Sequence, residues 1–305
     1  MENTIEHFKP DFFIPGAAKS GTTTLHDLLN THKDISMSII KEPVYWNNKL
    51  FNQFKHFEIS RYTKLFEENK KIKGESTTSY MYYESFIKNI RENFKNYPKF
   101  IFVLRNPIDR YISHVNWLNG LGLEKRDINR VVKEEIWSSF NEYDDYPKNY
   151  YQFGLYNKWI SRFIDNFGKD NIKIITFEQL ISDRLSTIND CYEFLGVEKV
   201  DNIKFLRSNK SKKVVFPYFY HFLRKSSTGK MKYTKILKYF LPIKIRGKIK
   251  SLIKCTMQNW ISIKLKTKKI TTENRNKLKE IYFKDVKSLK KKISYDFSEW
   301  DDFKL

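Results

Sequence analysis

The stretch Phe12-Phe13-Ile14-Pro15-Gly16-Ala17-Ala18-Lys19-Ser20-Gly21-Thr22-Thr23-Thr24-Leu25 decides the fold of this chain. An apolar, strand-like run meets a loop of small residues, and the loop opens a helical segment over residues 22–31. Gly16 and Gly21 keep the G-x-x-x-x-G spacing of a phosphate-cradling loop. Backbone N–H groups at a helix N-terminus attract an anion, and a lysine strengthens that attraction. The lysine is out of place for an ATPase, because a Walker A loop carries it directly after the second Gly. Here Thr22 holds that position and the lysine is Lys19, inside the loop. The loop is therefore expected to grip a phosphate-bearing donor differently from ATP–Mg²⁺. Thr22 or Ser20 is available to cap the helix.

Working outward, residues 11–15 read as a buried strand, 71–75 as a weaker one and 84–94 as a helix. Residues 99–105 form a strong strand rich in β-branched and aromatic residues, and Pro107 opens a helix running to about Leu118. Residues 153–167 carry Phe153, Tyr156, Ile160, Phe163 and Phe167 at helical spacing, and Gly168 ends the run. A strand over 171–177 and a helix over 186–195 follow, the latter closed by Gly196. Strands alternating with helices predict a parallel sheet covered on both faces. With a phosphate loop after the first strand, this is a P-loop NTPase-like three-layer α/β fold, with its ligand beyond the carboxyl ends of the strands. The α/β core is expected over 1–215. Residues 216–305 read as a basic, aromatic-rich, mainly helical extension packed on it, with a last helix over 272–292 and a docked Trp300.

The chain has 305 residues and a formal net charge of +22. Residues 202–270 hold 20 Lys and Arg and no Asp or Glu, which leaves only +2 for the rest. Such segregation predicts a polyanion, an anionic acceptor or an anionic membrane surface as partner; lysine enrichment on a solvated face is the plainer alternative. Cys191 and Cys255 form neither a disulfide framework nor a zinc site, and Cys191 lies in an apolar helical pattern as an inert core thiol. The phosphate loop begins close to Met1, and no later run is long and uncharged enough to span a bilayer. The expectation is a cytoplasmic protein of a reducing compartment, with the basic region able to bring it to the inner membrane face.

A second motif lies at the end of the strong strand: Arg105-Asn106-Pro107-Ile108-Asp109-Arg110-Tyr111-Ile112-Ser113-His114. An arginine at a strand end and a hydroxyl two turns into the next helix suit a second phosphate. Together the two motifs resemble the sulfotransferases that use 3′-phosphoadenosine-5′-phosphosulfate (PAPS), in their carbohydrate- and heparan-modifying branch of bacterial type. Gly16–Leu25 is similar to that family's 5′-phosphosulfate loop and Arg105–Ser113 to its 3′-phosphate motif. The downstream runs Gly154-Leu155-Tyr156, Phe177-Glu178-Gln179-Leu180 and Tyr192 to Val197 follow its pattern too, so the resemblance covers about residues 10–215. It implies that Lys19 meets the bridging oxygen of the leaving phosphate, where charge builds in the transition state. It implies that Ser20, Gly21, Thr22 and Thr23 hold the 5′-phosphate, and that Arg105 and Ser113 hold the 3′-phosphate. PAPS would leave as adenosine 3′,5′-bisphosphate, and no metal is implied.

The acceptor must lose a proton, so a base is needed near the loop. The polysaccharide-modifying branch places a glutamate in a K-E-x-x-[FYW] segment after the first helix. This chain reads Lys41-Glu42-Pro43-Val44-Tyr45, which makes Glu42 the candidate base and Lys41 its companion. His26, His32 and His114 are the alternatives. In Gly74-Glu75-Ser76-Thr77-Thr78, Ser76 stands where the heparan-type enzymes carry a lysine. The segment Ser208-Asn209-Lys210-Ser211-Lys212-Lys213 stands in for a late nucleotide-closing loop, and Lys212 or Lys213 is a candidate for a donor phosphate. A glutamate base implies a hydroxyl or amine on a glycan or glycolipid acceptor, and Tyr45, Trp46, Tyr80, Tyr82, Tyr83 and Trp117 are near enough to line its cleft. Two other readings stand: a P-loop kinase-like phosphotransferase, and a non-enzymatic polyanion- or membrane-binding protein acting through residues 202–270. No zinc-finger, RNA-recognition or helix-turn-helix signature is present, and no specific nucleic acid is expected.

Overall fold

A computed structural model describes residues 8–47, 62–135, 147–203, 212–214, 262–264 and 268–304. The chain divides into two compact units: Met1–Ser113 with Glu135–Ser208 and Thr272–Leu305, and His114–Glu134 with Asn209–Thr271.

The first unit is built on five parallel strands: β1 (Phe12–Gly16), β2 (Ile35–Met37), β3 (Ile72–Ser76), β4 (Lys99–Leu104) and β5 (Ile172–Thr176), in the order β2-β3-β1-β4-β5. Strand alternation divides the core into two layers. Phe12, Ile14, Ile101 and Val103 share an aliphatic layer with Leu25, Leu28 and Leu29 of α1 (Thr22–Leu29) and Ile188, Cys191 and Leu195 of α7 (Arg184–Leu195). Phe13, Phe100 and Phe102 belong to an aromatic layer. It takes in Phe86 of α2 (Glu84–Asn93) and Phe163 and Phe167 of α5 (Tyr156–Phe167). Pro15 has no N–H for a central strand, and the β1–β4 register shifts between Phe13 and Gly16, where that missing donor is tolerated.

Helix ends follow from local chemistry. Thr176 and Gln179 form a reciprocal capping box on α6 (Phe177–Ser182), and Asp183 accepts the Ser186 N–H at the start of α7. The run 153–167 is split: a 3₁₀ turn over Gln152–Gly154 precedes α5, and the five predicted apolar residues are all buried, with Trp159 besides. The final helix is α8 (Thr272–Ile293), which belongs to the same unit as the sheet. Its Asp285 carboxylate accepts the backbone N–H groups of Asn157 and Lys158 and so caps α5 from outside. Trp300 is fully buried, stacked on Phe297 at 4.0 Å.

In the second unit α4 (Ile128–Lys133) is capped by Asp127, and β6 (Lys212–Val214) pairs antiparallel with β7 (Ser262–Lys264). Helix α3 (Pro107–Gly120) begins in the first unit and ends in the second. The expected boundary at residue 215 and most of the expected basic helical extension lie outside the described residues, as does Cys255. Among the described residues no helix is long and apolar enough to cross a membrane.

Candidate active site

Strand β1 lies between β3 and β4, so the loop after it opens where the sheet order reverses, the usual ligand position of an open α/β sheet. The Lys19 and Gly21 backbones are left-handed, with φ of 70° and 93°. Gly21, rather than Thr22 or Ser20, stands at the N-cap of α1, and among the described residues no side chain caps that helix. The left-handed turn at Gly21 leaves the first-turn N–H groups to the loop, an arrangement suited to an anion. A Cβ on Gly21 would lie 2.6 Å from the Phe177 ring, which explains the glycine sterically as well. Ser20 and Thr22 are buried and Thr23 is half-buried.

Arg105 follows β4 directly, and its guanidinium stacks 4.7 Å over the same Phe177 ring that closes on Gly21. One aromatic side chain thus lies between the two motifs. Tyr156 joins them a second time: its hydroxyl donates to the Arg105 carbonyl (2.9 Å) and lies beside the Ser20 hydroxyl. Lys19 sits in the field of Lys41, Arg105 and Arg110. Its pKa falls to about 8, chiefly through burial and then through those three cations. Four cations gathered at one edge, with an uncapped helix N-terminus, make a site that fits a polyphosphorylated anion. Ser113 is half-buried on α3, two turns beyond Arg105. The backbone of Lys212 lies in β6 of the second unit.

Glu42 lies in an extended turn whose backbone is left-handed at Glu42 and Val44, both with φ of 60°. Its carboxylate accepts the Thr78 N–H (2.8 Å) and hydroxyl (3.1 Å), takes Lys41 Nζ at 2.6 Å and remains exposed. Its own N–H donates to the Ser76 carbonyl (2.9 Å). The carboxyl end of β3 therefore holds the candidate base in place, and Lys41 connects the base to the cation cluster around Lys19.

Beneath this turn lies a group that the residue pattern had not singled out. Glu75 is fully buried, accepts hydrogen bonds from Tyr62 Oη and from Thr77 Oγ1 (2.6 Å), and its pKa is raised to about 7 by burial. Tyr62 Oη also accepts from Trp46 Nε1 (3.0 Å), and Tyr80 Oη accepts the Trp46 N–H (2.9 Å). The aromatics differ in burial. Trp46, Tyr80, Tyr82 and Tyr83 are buried, Tyr45 is half-buried and stacked on Tyr62 at 4.0 Å, and Trp117 is a half-buried residue of the second unit. Sequence could not sort them, because the same residue types serve cores and clefts.

The histidines take structural places. His32 is buried between the Glu198 carbonyl and the Asp34 N–H, and His114 is buried in the second unit. His26 is buried on α1, and desolvation, then Lys41, lowers its pKa to about 4, so it is neutral at pH 7. Among the described residues no group of three or more His, Cys, Asp or Glu is placed to hold a metal. Cys191 is buried and its thiol is pushed up to about 12 by desolvation, which leaves it inert.

Known proteins resemble this chain over most of its length. The model of the sulfotransferase domain matches residues 9–290. Carbohydrate sulfotransferase 15 of Mus musculus is 24% identical over 253 residues, covering 63% of this chain and 45% of that protein. Heparan sulfate glucosamine 3-O-sulfotransferase 3B1 of the same species is 26% identical over 206 residues, covering 67% and 50%. The chain thus spans about half the length of these curated relatives. The crystal structure of a sulfotransferase from Alicyclobacillus acidocaldarius shares the fold, with a TM-score of 0.65 at 22% identity over 96% of this chain and 99% of that one. With the domain model matched over residues 9–290 of its 305, the chain belongs to the sulfotransferase domain family.

Proposed function

We propose that this protein transfers a sulfonate group from PAPS to a hydroxyl or amine of a carbohydrate or glycolipid acceptor. The observation that carries the reading is the convergence on Phe177 of the Lys19 loop and Arg105, with Lys41 joining Lys19 to Glu42. When bound, the donor supplies an activated sulfonate on a phosphate leaving group. Ser20, Gly21, Thr22 and Thr23 hold the 5′-phosphate through N–H groups and hydroxyls at the mouth of α1. Arg105 and Ser113 hold the 3′-phosphate, and Lys212 is a further phosphate ligand. Glu42 takes the proton of the attacking acceptor group as the new bond to sulfur forms. Lys19 meets the electron pair left on the phosphate oxygen as the old S–O bond breaks, and so stabilises the transition state more than the ground state.

The glycan acceptor is supported by the names of the relatives, one a carbohydrate and one a heparan sulfate sulfotransferase. Ile39 and Ile40, 73% and 49% exposed, stand immediately before Lys41 and Glu42, which supports an acceptor with an apolar portion. The basic region 202–270 is proposed to attract an anionic polysaccharide or the anionic inner face of a cytoplasmic membrane.

Isotopic sulfonate transfer from PAPS to a panel of glycans and glycolipids tests the reading. Lys19→Ala and Glu42→Gln are each expected to lower turnover by about 10²–10³. Glu42→Gln should keep its affinity for adenosine 3′,5′-bisphosphate, and Arg105→Ala should lose it. Transfer undiminished in Lys19→Ala, or absent from the wild type with every acceptor, would overturn it.

A further inference from the structure

The segment after α8 reaches back to the 3′-phosphate motif. Asn106 is buried, and its Oδ1 accepts the Ile108 N–H (3.0 Å) as the N-cap of α3. Its Nδ2 then faces the Asp302 carboxylate at 2.7 Å. Asp302 is itself held by Arg275, through Nε (2.8 Å) and a terminal nitrogen (2.6 Å), while the other terminal nitrogen of Arg275 reaches Asp109 at 3.0 Å on the first turn of α3. On the other side, Glu178 accepts the Asn106 N–H (3.0 Å) with one oxygen and Trp300 Nε1 (3.1 Å) with the other. Tyr156 secures the Arg105 carbonyl. The peptide between Arg105 and Asn106 is thus fixed at its carbonyl, its N–H and the side chain that follows. Two of the supports, Trp300 and Asp302, lie beyond residue 290, where the match to the sulfotransferase domain ends.

We propose that the closing segment 297–303 is a brace, with Trp300 and Asp302 as positioning residues that aim Arg105 at the donor's 3′-phosphate. Charge-assisted hydrogen bonds to a buried backbone group are strong and directional. An arginine stacked on one ring has its guanidinium plane set there, but its root is set by the backbone it leaves. Loosening Glu178 or Asn106 tilts that root and blurs the discrimination between a nucleotide with a 3′-phosphate and one without. The inference rests on reading Arg105 as the 3′-phosphate ligand, and it is independent of the base.

Calorimetric titration with adenosine 3′,5′-bisphosphate and with adenosine 5′-monophosphate separates these roles. In the wild type the bisphosphate is expected to bind more tightly. In Trp300→Phe, which keeps the stack but removes the N–H, and in Asp302→Asn, bisphosphate affinity should fall about tenfold, the scale of one charged hydrogen bond. Affinity for the monophosphate should hold within twofold. Asp302→Ala, with its folding checked by circular dichroism, should behave like Asp302→Asn or more severely. A wild-type preference that survives in both conservative variants overturns the brace and leaves the Arg105 reading standing. Parallel loss of both nucleotides overturns it too, because the segment would then only support the fold. No wild-type preference overturns the reading of Arg105 and the brace together.

Discussion

Lys19 is where structure and chemistry meet in one residue. Its backbone adopts a left-handed conformation that a non-glycine residue seldom takes, and its half-buried side chain lies in the field of three other cations. Burial and those cations lower its pKa from 10.5 to about 8. The folded chain therefore releases this proton at a lower pH than the unfolded chain does. Between about pH 8 and 10.5 the unfolded chain binds more protons, so Lys19 makes the fold more stable as pH rises through that window. An anion in the loop reverses the balance by favouring the charged amine. Above about pH 8, binding of adenosine 3′,5′-bisphosphate should take up close to one proton. Affinity should fall with a slope approaching tenfold per pH unit, by the same linkage. Calorimetry in two buffers of different ionisation enthalpy measures the uptake. Lys19→Arg, which does not deprotonate in this range, should show none. Equal uptake in the variant would assign the proton elsewhere.

At the scale of elements, the carboxyl end of β3 performs two tasks with adjacent residues. Ser76 and Thr78 hold Glu42 at the surface, while Glu75 and Thr77 anchor the same turn from below through Tyr62, Trp46 and the Val44 N–H. Buried Glu75 holds its proton to about pH 7, whereas the unfolded chain releases it near 4.5. Across that window the native state binds more protons, so stability falls as pH rises from about 4.5 to 7 and is level above. The shift corresponds to about 3 kcal/mol. Urea denaturation of Glu75→Gln should lose this slope relative to wild type, and an identical slope in both would refute the assignment.

The visible and hidden parts of this arrangement differ for a physical reason. The Lys19 loop and the Arg105 motif were legible because each is a local pattern: a strand end, a turn and the first residues of a helix. Phe177, Tyr156 and Glu75 were not, because each acts on a residue well separated in sequence, Arg105 for the first two and Tyr62 for the third. The three-residue β2 was equally hidden, being too short for its alternation to register. The N-cap of α1 was misread because Ser20 and Thr22 have good capping chemistry, whereas the left-handed Gly21 leaves that helix end uncapped.

At the scale of the whole molecule, the charge is divided as unevenly as the chemistry. Residues 202–270 carry 20 Lys and Arg without a single acid, whereas the site cations Lys19, Lys41, Arg105 and Arg110 all precede that region. In the proposed function a small anionic donor needs only the local cluster, which is partly buried and weakly screened. A long anionic acceptor or an anionic bilayer can engage many lysines at once, and salt screens such contacts over about 10 Å at 0.1 M. The two kinds of binding should therefore separate with ionic strength. Lys268 already pairs with Asp127 at 2.9 Å, so the charges chosen from the same stretch of sequence are Lys264, Lys266 and Lys269. Reversing those three to glutamate should weaken binding to a sulfated polysaccharide, or to vesicles containing anionic lipid, at least tenfold at low salt, and the difference should fade as salt is raised. Affinity for adenosine 3′,5′-bisphosphate should stay within twofold of wild type. Polyanion and vesicle binding that remain intact in the reversed variant would reduce the basic region to a solvated surface. A matching loss of nucleotide affinity would show instead that those lysines serve the donor.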